Sequence, residues 1–253
     1  MQRLFLILLV CLYPLTLQAE DLQRLRYNDP DLVVDLGVGL WAWPLPVDYD
    51  QDGDLDLLVS CPDKPANGIY FFENPDGNVK QPVFLPGKRI AAGQRNITIS
   101  HLPTGPRIMV PGREFTDWRT NQFRQLTSIY PGTNLLGSDR KIRTNQWSLV
   151  DVDGDDTLEL VVGVGEWTDY GWDDAYNSDG DWTNGPLHGW VYVIRAGSEA
   201  GSWQKPSLLQ AGGRPIDVFG KPAPNFADFD GDGDLDLVCG EFLDKFTYFQ
   251  NTG

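Results

Sequence analysis

Aspartates at alternate positions give this sequence its clearest chemical signal. The segment ADFDGDGDLDLVCG, residues 227–240, has five of them within nine residues. Its predicted cation ligands are four carboxylates and one backbone carbonyl, from Asp228, Asp230, Asp232, Asp236 and Leu235 respectively. Oxygen ligands on alternate residues of a turn suit a hard cation, and Ca²⁺ accepts about six to eight of them in flexible geometry. The glycines between the acids allow the positive φ angles of a tight turn. The spacing therefore predicts a Ca²⁺ loop.

An EF-hand does not explain this loop. That motif places a bidentate glutamate at its twelfth position and continues into a helix. Here the twelfth position is Cys239, and the residues after the acids are typical of a strand. The predicted site is therefore a nine-residue loop between two strands.

Two further segments repeat the pattern without a gap, VDYDQDGDLDLLVS from Val47 and VDVDGDDTLELVVG from Val150. The predicted ligands are Asp48, Asp50, Asp52, Leu55 and Asp56 in the first, and Asp151, Asp153, Asp155, Leu158 and Glu159 in the second. In the second segment Asp156 replaces a glycine and Glu159 replaces an aspartate, so weaker binding is expected there. Three solvated acidic turns are the less favoured interpretation, because all three copies share one ligand spacing.

The repeats predict an all-β protein. A degenerate copy, Ile97–Gly112, falls between the first two acidic loops, with Ile99 in the place of the first aspartate and no acids. Each unit ends in a second β-type run, at Gly68–Asn74, Leu126–Tyr130, Gly189–Arg195 and Lys245–Asn251. With 27 Gly and 18 Pro, long helices are not expected. Units of about 50 residues favour propeller blades over the shorter coils of a β-solenoid.

The acidic loops resemble those of the FG-GAP family, also called VCBS repeats, of integrin-α-like β-propellers. The last unit has the fuller motif, with Phe219-Gly220 and Pro222-Ala223-Pro224 before the Asp228 loop. The resemblance implies four-stranded blades with Ca²⁺ between the first two strands of a blade, and no metal in the second unit. It covers most of residues 40–253. About four units are visible, near 40–80, 90–134, 145–199 and 215–253, whereas the family usually closes with about seven, so a whole or a partial propeller is expected.

The N-terminus and the net charge predict location and partners. Residues 1–19 have the features of a signal peptide, with Arg3, an apolar run from Leu4 to Leu12, and Ala19 as a cleavage point. The run is shorter than the roughly 18 residues of a spanning helix, so an anchor is less favoured. The mature chain, 20–253, is expected to be periplasmic or extracellular, without an integral membrane segment. The net charge of the whole sequence, −16, argues against nucleic acid as a partner, which requires a basic surface.

A segment of about 25 residues, Glu166–Trp190, interrupts the repeat and offers a candidate ligand site. Its candidate ligand-binding residues are Trp167, Tyr170, Trp172, Tyr176, Trp182 and His188. Flat aromatic rings beside acids and amides can form a platform for sugars. The favoured alternative is that the rings pack this long loop onto the scaffold. A second candidate surface, Gly112–Arg124, combines three arginines with Trp118, although ion pairs with its own acids are the favoured interpretation there.

The sequence gives little support for catalysis. His101 and His188 have no evident partner, and no nucleophile elbow, zinc signature or phosphate loop is present. Whether Cys61 and Cys239 form a disulfide stays open. The sequence therefore predicts an exported, calcium-binding β-propeller that binds a glycan or an extracellular protein. The alternatives are a polysaccharide lyase or hydrolase on a calcium-bearing propeller, and an adhesion or structural part of a larger protein.

Overall fold

The computed structural model describes residues 38–78, 80–171, 175–199, 201–243 and 245–253, which form an all-β structure. The predicted signal peptide at 1–19 lies outside these residues. Two four-stranded antiparallel sheets come first along the chain. The first sheet contains β1 (Trp43–Val47), β2 (Asp56–Cys61), β3 (Gly68–Phe72) and β4 (Lys88–Ala91). The second contains β5 (Thr98–Leu102), β6 (Gly105–Val110), β7 (Arg113–Phe115) and β8 (Leu126–Ser128).

Two further main sheets follow, and a small hairpin lies along the chain between the last two strands of the third sheet. The third sheet contains β9 (Ile142–Val150), β10 (Glu159–Glu166), β11 (His188–Ile194), β12 (Ser207–Leu208) and β15 (Asp217–Phe219). The hairpin contains β13 (Gln210–Ala211) and β14 (Arg214–Pro215), and the fourth sheet contains β16 (Ala223–Ala227), β17 (Asp236–Gly240) and β18 (Phe246–Phe249). Helix α1 (Trp118–Asn121) is a single turn. Within the ranges given above, no helix is long and apolar enough to cross a membrane.

The sheets pack against one another in chain order, and β10 illustrates how. Side chains of a strand alternate between the two faces of its sheet. Leu160 and Val162 face a core that includes Met109 of the second sheet. Val161 faces another core, which includes Leu237 of the fourth sheet. All eight residues of β10 are buried as a result.

The first strands of the four main sheets form a row, with β1 next to β5, β5 next to β9, and β9 next to β16. Hydrogen bonds fix the relative direction of β5 and β9. The Asn145 amide donates to Asn96 Oδ1 over 3.3 Å, and the Leu149 amide donates to Ser100 Oγ over 2.8 Å. Both pairs have the same sequence offset, so the two strands run in the same direction. One cavity is lined in part by residues that precede or begin the first strands, and another in part by residues that end or follow them.

The Phe219-Gly220 motif brings the fourth sheet close to the third. Gly220 has a φ of +81°, a conformation that side chains with a Cβ atom rarely adopt. A Cβ atom at Gly165 of β10 would collide with the carbonyl oxygen of Gly220, and one at Gly163 would collide with that of Pro222. The glycines of β10 therefore allow two backbone segments to touch.

The second unit differs from its predicted alignment. Leu102 pairs with Gly105, so β5 and β6 are joined by a two-residue turn rather than a nine-residue loop. Ile99 lies within β5, opposite Ile108, and not at the first position of a loop. The predicted strand at Leu126–Tyr130 is β8, the fourth strand of its sheet, and β7 takes the third place. The gapless alignment of the second unit with the acidic units is therefore wrong, because the turn between β5 and β6 is much shorter than the acidic loops.

The two cysteines of the described chain are both buried free thiols. Cys61 lies on β2 of the first sheet and Cys239 on β17 of the fourth. The open question of a disulfide between them is thereby answered: they are not bonded.

Candidate functional site

The three acidic loops connect the first and second strands of their sheets. In each case the ninth residue of the loop begins the second strand and pairs with the last residue of the first strand: Asp56 with Val47, Glu159 with Val150, and Asp236 with Ala227. This residue is buried in all three loops, with an exposed fraction of 0–2%. The ladder therefore holds one carboxylate firmly at the base of each loop.

The buried ninth carboxylate also closes its loop, because it accepts a hydrogen bond from the backbone amide of the second residue. The donors are Tyr49, Val152 and Phe229, at 2.9, 2.9 and 3.1 Å respectively. A carboxylate buried at this position without hydrogen bonds would lower the stability of the fold. The same contact in three loops defines one local structure.

Carboxylates from the first, third and ninth positions converge in each loop. The three groups are Asp48, Asp50 and Asp56; Asp151, Asp153 and Glu159; and Asp228, Asp230 and Asp236. Within a group, one ligand oxygen from each residue lies within 4.8 Å of the others. These described residues can therefore hold a metal ion, and all three groups belong to the sets predicted from the sequence.

Crowding affects how readily these carboxyls lose their protons. Burial raises the pKa of Glu159, and the charges of Asp153 and Asp155 raise it further. Burial also raises the pKa of Asp50, and Asp56 and Asp52 add to the rise. A cation would oppose both effects, because it favours the charged form of a carboxylate. The donor set, hard oxygens with mutual repulsion, fits Ca²⁺.

The fifth-position aspartates lie outside the converging groups. Their side chains accept backbone hydrogen bonds from the residue two positions later: Asp52 from Asp54 (3.2 Å), Asp155 from Thr157 (2.7 Å) and Asp232 from Asp234 (3.0 Å). These contacts shape the turn, and the role of the fifth-position aspartates as ligands stays a prediction.

The predicted carbonyl ligands need a correction in position. With Asp48 as the first position of the loop, the seventh position is Asp54 and Leu55 is at the eighth. Leu158 and Leu235 are likewise at the eighth position of their loops. The Leu55 carbonyl accepts a hydrogen bond from Asn74 Nδ2 over 3.2 Å. Asp54 Oδ1 is buried and has no hydrogen-bond partner among the described residues. Asp54, Thr157 and Asp234 therefore continue the series better than the leucines do.

Residues after the third strand complete the first and third loops, and the predicted site residues did not include them. The amide of Asn74 donates to Asp56 Oδ1 over 3.0 Å, and the amide of Asn251 donates to Asp236 Oδ1 over 2.8 Å. The shared endings FFEN and YFQN were the available signal. Burial alone would raise the pKa of Asp236, but the hydrogen bonds from Asn251, Tyr248 and Phe229 outweigh it and lower the pKa.

The residue just before this asparagine position faces the third-position carboxylate, and it differs in every loop. In each sheet this residue comes directly after the last residue of the third strand that pairs with the second strand. It is Glu73 in the first loop, Arg195 in the second and Gln250 in the third. Gln250 Nε2 donates to Asp230 Oδ2 over 2.6 Å. Arg195 Nε lies 3.7 Å from Asp153 Oδ2. Glu73 contributes to the raised pKa of Asp50 after burial and the loop aspartates. The three sites therefore have different net charges.

The aromatic residues of the insertion mostly contact one another. The Tyr170 and Trp182 rings stack with centroids 4.3 Å apart, and Tyr176 contacts Trp182 edge-on at 5.1 Å. Trp167 is buried and contacts both Tyr170 and Phe242. Trp172 lies outside the described residues. The geometry is that of a packed loop in which Tyr176, 61% exposed, is the most accessible ring among the described candidates.

Both of the other candidate regions have partners within the protein. His188 Nδ1 lies 2.6 Å from Asp217 Oδ2, and the His188 ring stacks on Trp190. In the Gly112–Arg124 segment Trp118 is buried in the core, and Arg119 lies over its ring. Arg119 also donates to the Asp48 carbonyl over 2.7 Å. This segment thus supports the first acidic loop instead of presenting an open arginine–tryptophan surface.

Comparisons with known proteins found no significant match to this chain. No protein-family model matches the chain, and no curated protein or solved structure matches it significantly.

Proposed function

We propose that this chain is an FG-GAP-type β-propeller that is exported, binds Ca²⁺ in three loops, and acts as a binding module for a glycan or an extracellular protein. The observation that carries the calcium assignment is the threefold recurrence of one carboxylate group. In each loop the first, third and ninth side chains converge, and the ninth is held by the same amide contact. A single catalytic centre does not require three such copies.

The propeller assignment is supported by the arrangement of the sheets. Four main antiparallel sheets follow one another in chain order, and their first strands lie in a row. The acidic loops all join a first strand to a second strand, which is where the family resemblance places Ca²⁺. The repeat of about 50 residues agrees with a blade-sized unit.

Bound Ca²⁺ would supply positive charge between carboxylates that otherwise repel one another. The first, third and ninth carboxylates would hold the ion, while the fifth aspartate keeps the turn closed through its backbone hydrogen bond. Binding to the folded chain alone stabilises it, by about 2.7 kcal/mol per site at 100-fold excess over Kd. The role is therefore structural, and ligand recognition falls to other surfaces.

Thermal unfolding tests this role. Removal of Ca²⁺ with EGTA should lower the Tm by about 5–10 °C for one well-occupied site in a chain of this size, and added Ca²⁺ should restore it. Asp236→Asn should reduce the response, whereas Asp179→Asn, an exposed change in the insertion, should leave it unchanged. An identical Tm with and without Ca²⁺ would contradict the calcium assignment.

One observation favours the enzyme alternative, namely the pair formed by His188 and Asp217. A carboxylate that orients an imidazole is a common arrangement for a general base. Incubation with a panel of polysaccharides, followed by assays for new reducing ends and unsaturated products, distinguishes the two functions. Binding without new ends supports the binding module. Product formation that is lost in His188→Ala and kept in His101→Ala supports the enzyme.

A further inference from the structure

A cavity at the acidic-loop end of the first strands spans three of the four main sheets. Its volume is about 800 Å³, within the range of ligand sites, about 300–1,000 Å³. The lining includes the last parts of β5, β9 and β16, the turn between β5 and β6, and the two acidic loops that follow β9 and β16. Three neighbouring sheets therefore build one recess.

Much of the lining of this cavity is apolar. Val150 of β9 and Phe226 of β16 line it, and both pack at the margin of the core between the third and fourth sheets. Leu158 and Leu235, the eighth residues of their loops, are further lining residues and are half-buried. In the first acidic loop, which lies outside the lining, the equivalent Leu55 is 44% exposed. The cavity thus offers apolar surface to a ligand.

The charged side chains of the lining are acidic. They are Asp151, Asp153, Asp156 and Asp234, from two different loops. No lysine or arginine is among the described residues that line the cavity. Outside the lining, Arg195 Nε lies 3.7 Å from Asp153 Oδ2. The cavity therefore attracts cations.

Two of these carboxylates do not belong to the groups that would hold Ca²⁺. Asp156 and Asp234 are the sixth and seventh residues of their loops and lie outside the converging groups. Within the described ranges, no lysine, arginine or histidine nitrogen lies within 4 Å of either carboxylate. Their negative charge therefore remains available to a ligand when Ca²⁺ compensates Asp151 and Asp153.

The neutral polar groups of the lining suit a polypeptide backbone. Thr104 of the turn between β5 and β6 and Asn225 of β16 are exposed lining residues. Ser148 of β9 also lines the cavity, and its hydroxyl oxygen is buried without a hydrogen-bond partner among the described residues. A backbone amide or carbonyl of a ligand could satisfy this hydroxyl.

The lining is less suited to a carbohydrate. Stacking against the C–H face of a sugar ring requires a flat aromatic surface. Phe226 is the one phenylalanine, tyrosine or tryptophan among the described lining residues, and it also packs against the core. Apolar surface, carboxylates and scattered hydrogen-bonding groups are together the complement of a peptide with basic and apolar side chains.

We propose that this cavity binds a segment of an extracellular protein in which lysine or arginine alternates with apolar residues. The basic side chains lie at Asp156 and Asp234, and the apolar ones lie against Leu158, Leu235 and Phe226. This inference rests on the binding role proposed above and names both the chemistry of the partner and the site. It differs from the expectation that the insertion provides the ligand platform, because none of the described ligand candidates of the insertion lines this cavity.

Isothermal titration tests the proposal on the full chain at fixed Ca²⁺. The main probe is a hexapeptide of alternating leucine and lysine with blocked ends, which should bind more weakly at 200 than at about 50 mM salt because surface charge is screened. A peptide with glutamate in place of lysine should not bind. A peptide with serine in place of leucine should bind at least about tenfold more weakly, because it buries no apolar side chains. Spermidine and a glucosamine tetrasaccharide test whether a free polyamine or a cationic glycan binds instead.

Isosteric variants locate the site. Asp156→Asn and Asp234→Asn each remove one charge, and each should weaken binding of the leucine–lysine peptide about threefold to fivefold, as expected for a partly exposed ion pair. The double variant should weaken it about tenfold or more, because the two changes lie in different loops. Asp156 has a φ of +65°, which asparagine tolerates. Asp179→Asn, an exposed change of the same kind in the insertion and outside the lining, is the matched control.

Each result decides the proposal. No binding of the leucine–lysine peptide, equal binding of the glutamate or serine peptide, or binding that the double variant leaves intact would overturn it. Spermidine or the glucosamine tetrasaccharide binding as tightly as the peptide would also overturn it, because the ligand would then be a polyamine or a glycan.

The Ca²⁺-dependent Tm of the same variants is measured separately. Asp156→Asn and Asp234→Asn should keep the Ca²⁺ response, because neither residue belongs to a converging group. A Ca²⁺ response without peptide binding is therefore a failure of this inference alone, whereas loss of the response in the wild type is a failure of the calcium-bound scaffold.

Discussion

Arg195 Nε lies 3.7 Å from Asp153 Oδ2, so the middle acidic loop has a cation of its own beside its third-position carboxylate. The corresponding neighbour is Gln250 in the third loop, bonded to Asp230, and Glu73 in the first. Glu73 is itself paired with exposed Lys88 at 3.5 Å. One position on the third strand therefore makes the three loops electrostatically different, although their ligand spacing is the same.

This difference predicts graded Ca²⁺ affinity, with the middle loop the weakest. Arg195→Gln should strengthen Ca²⁺ binding at that loop about tenfold, because the removed charge competes with the ion near the same carboxylate. The reciprocal change Gln250→Arg should weaken binding at the third loop by a similar factor. Titration of the chelated protein with Ca²⁺ measures both.

Arg214→Gln is the control for the loss of one arginine, since that residue lies on the exposed β14 strand. Unchanged affinity in Arg195→Gln together with unchanged affinity in Gln250→Arg would show that this position does not regulate the loops.

The buried ninth carboxylate should matter even without metal. Asp236 accepts hydrogen bonds from the Phe229 and Asn251 amides and from the Tyr248 hydroxyl. In Asp236→Asn a donor amide replaces one acceptor, so at least one of these bonds is lost, at a cost of about 1–3 kcal/mol. Urea unfolding in EGTA measures the free energy of unfolding. The neighbouring change Asp234→Asn, at a residue with a smaller hydrogen-bonding role, should cost less; an equal loss in both variants would contradict the closing role of Asp236.

The two described cysteines should resist modification in the folded protein. Both thiols are buried, and burial raises the pKa of Cys239 to about 12. At pH 8 the reactive thiolate of such a group is about one part in 10⁴. Treatment with iodoacetamide at pH 8, followed by mass spectrometry of the peptides, should find both residues unmodified before denaturation and both modified after it. Recovery of a peptide pair linked by a disulfide would contradict the structure.

Lys221 should give the stability a pH dependence of known sign. Its pKa of about 8 in the folded chain lies below the ordinary value of 10.5, through burial and then the nearby Arg143 charge. At pH values between these two pKa values, the unfolded chain binds more protons at Lys221 than the folded chain does. The free energy of unfolding therefore rises with pH across this range. In Lys221→Met that contribution disappears.

Urea unfolding of wild type and Lys221→Met at pH 7, 8, 9 and 10 measures this effect. The variant should have its largest advantage over wild type at pH 7 and lose it towards pH 10. The same substitution at exposed Lys205 is the control for the loss of a lysine. A difference between wild type and Lys221→Met that stays constant with pH would contradict the half-buried position of Lys221, whose Nζ lies 3.8 Å from the centre of the Trp41 ring.

The acidic loops were predictable because all their candidate ligands lie within nine residues. The predicted sets contain the three groups that converge, although spacing did not separate these groups from the fifth-position aspartates and the leucines. The burial of the strand that follows explains why Asp56, Glu159 and Asp236 close the loops. The contribution of Asn74 and Asn251 was not evident, because these residues come from the far end of the third strand, 18 and 15 residues away from the carboxylates they contact. The order of the strands in space was needed to find them.

Other features escaped prediction for different physical reasons. Strand β7 is only three residues long and includes the charged Arg113 and Glu114, so it lacks the apolar run by which strands are recognised. The cavity lined by Trp41, Arg143 and Trp167 forms where separate first strands begin, and the Arg143 guanidinium lies over the Trp41 and Trp167 rings only because the sheets pack together. Neither spacing nor composition relates residues so far apart along the chain.

Direct measurement of Ca²⁺ stoichiometry tests the central claim most sharply. The chelated full-length protein is titrated with Ca²⁺ by calorimetry, alongside Asp48→Asn, Asp151→Asn and Asp228→Asn, one change in each loop. We expect two stronger sites and one weaker site in the wild type, with the weaker one lost in Asp151→Asn and one stronger one lost in each of the other variants. Absence of Ca²⁺ binding at millimolar concentration, or a stoichiometry that none of the three changes reduces, would contradict it.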